Sequence, residues 1–311
     1  MSSDKNNEMV HIAIVSGKGG VGKTSITASL ACSLSEKDID LLAADTDVDA
    51  PNLAILFQTT GKKKDEFKVK TTEKAKFLEK KCVHCRRCID EEFCHFGALS
   101  WDKGNKVPIV DQIACEGCRA CNLLCPEEAF EIYPIESGTV SHLVSEYGFP
   151  VITGETILGA QTSGKLVTEM KKYADKVAND LKKELVMIDG PPGIGCPVIA
   201  AVADIDYAIV IIEPSKAALH DAQRVMNVIK KFDTPMGVII NKCDMWAEAL
   251  KEIKTFLREE KIELLGEIPL DDDWPYAIAE GLPIYQYKKN GTSAQKISKI
   301  AEKLINKFNF K

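Results

Sequence analysis

Eight residues near the N-terminus restrict the fold more than any other stretch. Gly17 to Thr24 read G-K-G-G-V-G-K-T, which fits the pattern G-x-x-x-x-G-K-[ST] of a phosphate-binding loop. A short β-branched run over residues 10–16 (VHIAIVS) precedes it, and a helical pattern over 24–34 follows. That strand–loop–helix context gives the pattern its physics. Glycines let successive backbone N–H groups turn inward as an anion nest, and the helix adds its positive N-terminal end. Lys23 would reach the β- and γ-phosphates of a nucleotide, and Thr24 would offer its hydroxyl to Mg²⁺. Gly17, Lys18, Gly19, Gly20, Val21, Gly22, Lys23, Thr24 and Ser25 are therefore nucleotide-binding candidates.

The strand grammar recurs along the chain. Residues 41–44 end in acids, 185–188 run into D-G-P-P-G, 207–212 into E-P-S, and 237–240 into N-K-C-D. Short β-branched runs that end in polar turns and alternate with helical patterns indicate parallel βαβ units. Helices are expected over 166–183, 217–232, 247–260 and 293–308. Asp189 ends an apolar strand, where a metal-side carboxylate belongs. Asp45, Asp47 and Asp49 cluster after another strand and could orient a water. Mg²⁺ would be held by Thr24, Asp47 and Asp189.

The middle of the chain breaks the grammar. Residues 61–81 are lysine-heavy (Lys62, Lys63, Lys64, Lys68, Lys70, Lys74, Lys76) and read as a solvated face, with docking of an acidic partner as the alternative. Eight of the eleven cysteines then follow as Cys82-x2-Cys85-x2-Cys88-x5-Cys94 and Cys115-x2-Cys118-x2-Cys121-x3-Cys125-Pro126. Three thiolates on a short loop can reach three corners of one cube, and the fourth ligand must come from elsewhere. Cys82, Cys85, Cys88 and Cys125 would thus hold one [4Fe–4S] cluster, and Cys94, Cys115, Cys118 and Cys121 the other. Paired C-x2-C spacings also occur in zinc sites, but two triplets that each have a distant fourth cysteine suit iron–sulfur better.

These patterns predict an α/β fold of the P-loop NTPase kind, with a mostly parallel sheet flanked by helices, and an inserted ferredoxin-like α+β domain. The expected boundaries are 1–57 and 145–311 for the split nucleotide domain and 58–144 for the insertion. A length of 311 residues suits about two domains. The balance of 40 Lys+Arg against 46 Asp+Glu, net −6, argues against nucleic acid as a partner. No apolar run approaches the ~20 residues of a bilayer span, so no membrane is expected. The start of the chain lacks a signal peptide's apolar core, which points to the cytoplasm, where thiols serve metals or catalysis and not disulfides.

G-K-G-G-V-G-K-T with its early Lys18 resembles the deviant loop of the MinD/Mrp/nitrogenase iron-protein class of P-loop ATPases. In that class two subunits sandwich two nucleotides, and the early lysine reaches the partner's phosphates; Lys18 matches it. The resemblance further implies that Asp47 positions the attacking water, that D-G-P-P-G-I-G from Asp189 is a switch, that Asn241 reads the adenine edge, and that Pro269 closes over the base. Catalytic roles accordingly fall to Lys18, Lys23, Asp47 and Asp189. The whole chain is similar to MinD-superfamily ATPases with an inserted two-cluster ferredoxin domain.

Cys196 lies where the nitrogenase iron protein has a cysteine that ligates a cluster shared between subunits, so it is a candidate dimer-interface thiol. The second such position aligns with Thr162. Cys32 and Cys243 read as inert.

The resemblance implies ATP, Mg²⁺ and two [4Fe–4S] clusters as cofactors, and a homodimer or a heterodimer with a related ATPase. The expected function is ATP hydrolysis and dimer rearrangement coupled to electron transfer to a redox or iron–sulfur partner. An iron–sulfur scaffold or carrier is the alternative, followed by a redox-sensing interaction protein. The lysines of the C-terminal amphipathic pattern could face a membrane, but a helix packed on the sheet is the preferred reading.

Overall fold

The computed structural model describes residues 9–59, 63–157 and 163–310. The described residues form two compact units, 9–59, 63–67, 140–155 and 163–310 in the first, and 68–139 with 156–157 in the second. Lys62 and Thr162 lie outside the described residues.

Nine described strands form the large sheet, in spatial order Glu263–Ile268, Met236–Asn241, Tyr207–Ile212, Val10–Ser16, Leu185–Pro192, Leu41–Asp45, Pro150–Thr156, Gly138–Val144 and Asp65–Val69. The pairings among the first seven are all parallel. Side chains alternate across a strand, and here both faces are covered. Ile12, Ile14, Ile209, Ile211 and Ile239 pack with Leu30, Ile297 and Leu304 on one side. Ala208, Val210, Ile212, Val238 and Ile240 pack with Val225, Ile229 and Ile253 on the other. Burial on both faces explains why these strands read as unbroken apolar runs.

The main helices are Lys23–Ser35, Ser163–Asp180, Lys216–Lys230, Ala247–Glu259 and Thr292–Phe308, within a turn of the spans expected from sequence. The last buries Ile297, Ile300, Ala301 and Leu304 against the sheet. Its lysines grip the edge strand: Lys303 donates to the Leu265 carbonyl at 2.7 Å and Lys307 to Glu263 at 2.8 Å. This helix therefore packs on the fold. No helix among the described residues is long and apolar enough to cross a membrane.

The second unit is made of two antiparallel ribbons, Thr72–Phe77 with Phe130–Ile135 and Leu99–Asp102 with Val107–Val110, and two short helices, Arg87–Asp90 and Ala120–Leu124. Ala75, Phe93, Ala98 and Phe130 form its core together with Cys88, Cys115 and Cys121. The two helices start alike. Arg86 (φ 63°) and Arg119 (φ 69°) each follow the second cysteine of a run in a left-handed turn. That turn folds the third cysteine back beside the first two.

The described residues 58–59, 63–67 and 140–144, placed in the insertion by the sequence pattern, group with the first unit; Asp65–Val69 and Gly138–Val144 are strands of the large sheet. The reading of 61–81 as a solvated face needs correction at one position. Lys68 and Lys76 are exposed, but Lys74 is only 4% exposed. Strand pairing sets Lys74 opposite Tyr133, and its ammonium finds a backbone carbonyl inside the unit.

His11, at the start of the central strand, sits between two acids, with Nε2 2.9 Å from Asp175 and Nδ1 3.4 Å from Asp206. Burial pulls its pKa down, but the hydrogen bond and charge of Asp175, reinforced by Asp206, win, and it titrates above 6.5. The stability from this raised value is complete below pH 6.5 and is lost as pH rises through the folded pKa. Denaturant unfolding across that window should show a decline of about 1 kcal/mol; His11→Gln should flatten it.

Candidate functional site

Register brings the acids to the loop. Ile14 pairs with Asp189, and Asp189 with Asp45, on three adjacent parallel strands. Both carboxylates are fully buried beside the Gly17–Thr24 loop, Asp45 at the end of its strand and Asp189 within its own, which runs on to Pro192 and not, as the sequence pattern suggests, to Asp189. The loop curls through left-handed Gly20 (φ 79°) and Gly22 (φ 91°), and the helix starts at Lys23. Val21 is buried; Gly19 lies in the turn with open space where a Cβ would be, and Ser25 belongs to the first turn of the helix. A Cβ on Gly17 would sit 2.3 Å from the Asp221 carbonyl carbon, so only glycine lets loop and helix backbones approach this closely.

Asp189 is the hub of the site. Thr24 Oγ1 donates to one of its oxygens at 2.7 Å, and Thr27 Oγ1 to the other at 2.8 Å. Lys23 Nζ lies 3.0 Å from the second oxygen, with lysine and carboxylate both buried. Thr46 binds the Asp189 carbonyl through both its N–H and its hydroxyl.

Asp45 has a shaping role. It accepts from the backbone N–H groups of Asp47 (3.2 Å), Asn52 (2.9 Å) and Leu53 (2.8 Å), folding the following loop around itself. Burial and the nearby Asp189 carboxylate push its pKa up. Asp47, half-buried beyond it, is also raised, by burial first and then by Asp189 and Asp49, against the pull of Lys23. A hard donor set of hydroxyl and carboxylate oxygens beside a lysine suits a Mg²⁺–phosphate ligand.

Lys18 and Lys242 share Glu213, with Nζ–Oε distances of 2.6 and 3.1 Å. Burial would raise the Glu213 carboxyl, but the two ammonium groups hold it below the usual range. Asn241 donates Nδ2 to the Val21 carbonyl at 2.8 Å, while its buried Oδ1 has no partner among the described residues. Pro269 follows the strand that ends at Ile268, the register partner of Asn241.

In the second unit Cys82, Cys85, Cys88 and Cys125 line one cavity, and Cys94, Cys115, Cys118 and Cys121 line another. Among the described residues no three His, Cys, Asp or Glu side chains are grouped as ligands of a single metal ion; the thiols are spread around cavity walls. Backbone N–H groups point at four of the sulfurs: His84 to Cys82 (3.4 Å), Ala129 to Cys125 (3.4 Å), Ala98 to Cys94 (3.2 Å) and Ala75 to Cys115 (3.3 Å). Burial, then the thiols of Cys82, Cys85 and Cys125, push Cys88 up to about 11. Burial and the thiols of Cys115, Cys118 and Cys94 do the same to Cys121. Thiols that oppose one another's ionisation are eased into the thiolate form where a bound metal centre supplies positive charge.

Cys196 stands exposed at the first turn of the Cys196–Val202 helix, against Gly164, whose added Cβ would be 3.0 Å from its own. Lys171 caps the other end of that helix with hydrogen bonds to the carbonyls of Ala200 (3.1 Å), Ala201 (3.2 Å) and Ala203. Cys32 is buried and Cys243 half-buried.

Thr27, Thr46 and Glu213 escape the motif reading, and Asp45 figures in it only as one acid of a cluster. Two carried a usable signal. Thr27 is one turn beyond Lys23 on the same helix, and Glu213 directly follows an apolar strand run as Asp189 follows the apolar run 185–188.

Gly17→Ala should cost about 1–3 kcal/mol of stability, because the clash is with backbone, and should weaken nucleotide binding at least tenfold. Gly19→Ala should leave stability within about 0.5 kcal/mol. Thermal melts and nucleotide titrations of the pair check this.

Comparison with known proteins agrees with this geometry. The family model described as CobQ/CobB/MinD/ParA nucleotide binding domain matches residues 12–284. An uncharacterized protein of Methanocaldococcus jannaschii is 35% identical over 95% of this chain and 96% of its own. A Pyrococcus horikoshii protein named iron–sulfur cluster carrier protein is 25% identical over 95% of this chain and 85% of its own. Among solved structures, the MinD cell division protein of Aquifex aeolicus superposes with a TM-score of 0.59 at 18% identity, covering 96% of this chain and 97% of that one. Its fold is the α/β P-loop fold with a mostly parallel central sheet. The chain belongs to the CobQ/CobB/MinD/ParA family of nucleotide-binding P-loop ATPases.

Proposed function

We propose that the protein is a Mg²⁺-dependent ATPase whose ATP-driven rearrangement as a dimer is coupled to electron transfer through two [4Fe–4S] clusters to a partner protein. One observation carries the reading: a single chain holds Lys23 and Thr24 converging on buried Asp189, and two cavities each walled by four thiols.

For hydrolysis, the loop amides and Lys23 cradle the phosphates, with Lys18 supplying further positive charge at the γ-phosphoryl group. Mg²⁺, held by Thr24 and Asp189 with Asp47 nearby, would neutralise charge on the β- and γ-oxygens. Asp47 orients the attacking water; Asp45 fixes Asp47 through its backbone N–H. Asn241, with an unpaired buried acceptor beside the loop, suits the amino edge of adenine, and Pro269 borders the base. Lys18 must leave Glu213 before it can reach across a dimer.

The thiol sets fit [4Fe–4S] clusters on chemistry: each cavity joins three cysteines of one run to the fourth of the other, with N–H groups aimed at sulfur. The clusters supply one-electron storage. Burial of Cys88, Cys115 and Cys121 favours resident centres over cargo. Relatives named iron–sulfur cluster carriers keep transfer as the second reading. Incubation with an apo-acceptor separates the two: resident clusters stay on the chain when ATP is added, and cargo moves.

Asp47→Asn should keep ATP binding and lose about 10²–10⁴ in turnover; unchanged hydrolysis would remove its role. Anaerobically reconstituted protein should carry about eight irons per chain. Cys88→Ser or Cys121→Ser should reduce that towards about four, and Cys196→Ser should leave it unchanged.

A further inference from the structure

Lys74 is a buried cation without an anion. It is 4% exposed, and its ammonium donates to the carbonyl of Cys115. No carboxylate pairs with it among the described residues; its neighbour Glu73 is taken by Arg119 at 2.7 Å. The adjacent Ala75 N–H points at Cys115 Sγ, 3.3 Å away, so residues 74 and 75 clamp one cysteine at both its carbonyl and its sulfur. Gly117 locks the same loop: an added Cβ would lie 2.2 Å from the Glu73 carbonyl oxygen.

Among the described residues the other thiol set has no buried, unpaired cation. Arg86 and Arg87 border its cavity and Lys81 lies close by in sequence, but all three are exposed and each is paired with an acid, Asp90 (3.3 Å), Glu91 (2.7 Å) and Glu128 (3.2 Å). Paired, solvated charges act weakly, whereas an unpaired one in a low-dielectric interior acts strongly. A buried charge needs a counter-charge, and a cluster on four thiolates is anionic and gains one more negative charge on reduction.

We propose that Lys74 is the counter-cation of the cluster held by Cys94, Cys115, Cys118 and Cys121, and that it makes this cluster the more readily reduced of the two. The inference rests on the two-cluster reading above. One electron, from dithionite in the test, enters the cluster; no bond breaks, and Lys74 keeps its protons. Lys74 is a positioning residue that works through charge.

The test is a redox titration of the full chain with both clusters, followed by electron paramagnetic resonance, with Cys118→Ser marking which step belongs to which cluster. Lys74→Met should make reduction at the Cys118 cluster at least tenfold less favourable, about 59 mV for one electron, and leave the other step within about threefold. Lys74→Gln, which keeps a donor for the Cys115 carbonyl, should give the same shift if the methionine variant folds poorly. An unmoved Cys118 step, equal movement of both steps, or loss of iron from both variants would overturn the assignment. An iron-free wild-type chain would instead remove the cluster reading itself, a result distinct from two clusters whose potentials ignore Lys74.

Discussion

A fully buried carboxylate must find donors or stay protonated. Asp189 finds three at once, Thr24, Thr27 and Lys23, and the rest of the nucleotide site is arranged around that need. All three donors lie on the helix that the glycine loop launches, so the carboxylate ties the loop, the helix and the Leu185–Pro192 strand into one rigid piece. Thr46 extends the tie to the neighbouring strand through the Asp189 carbonyl. Asp45, packed beside it, spends its own oxygens on backbone N–H groups, and so shapes the loop that carries Asp47. The site is polar and buried, yet nearly every oxygen in it has a partner.

The second unit solves a different problem. Its apolar core is small, and three of its buried side chains are thiols. Two left-handed turns, at Arg86 and Arg119, bend each cysteine run around a cavity, and the Thr72–Phe77 strand and adjoining loops supply N–H groups to the sulfurs. On the two-cluster reading proposed above, such a unit would gain stability from what its thiols bind, in the way small metal-binding domains do. Its two halves share a plan but not an electrostatic setting, and on the same reading that difference would set their roles apart.

Much of this was legible from residues alone. The parallel sheet followed from apolar runs that end in polar turns, and the loop from its glycines and Lys23, because both are local patterns with a direct structural cause. Helix ends came within a turn. What escaped depends on register and on partners far away in sequence. Asp45 read as one acid of a cluster, since its acceptor role exists only once residues 47–53 wrap back. Glu213 gains meaning only when Lys18 and Lys242 meet it. Lys74 read as one of a lysine-rich, solvated stretch; a charge run says nothing about which member faces a core until the strand pairing is set. The outer strands of the large sheet lay within the span assigned to the insertion for the same reason, their partners being distant or polar.

The central claim is that nucleotide turnover and the thiol-bound centres act on each other. The most direct measurement is the rate at which anaerobically reduced protein passes electrons to an artificial acceptor, with MgATP, with MgADP and without nucleotide, while iron per chain is counted in parallel. The account predicts that MgATP changes the rate, that Lys18→Ala abolishes the change, and that the iron stays in place. Equal rates in all three conditions, or iron leaving the chain as ATP is consumed, would contradict it.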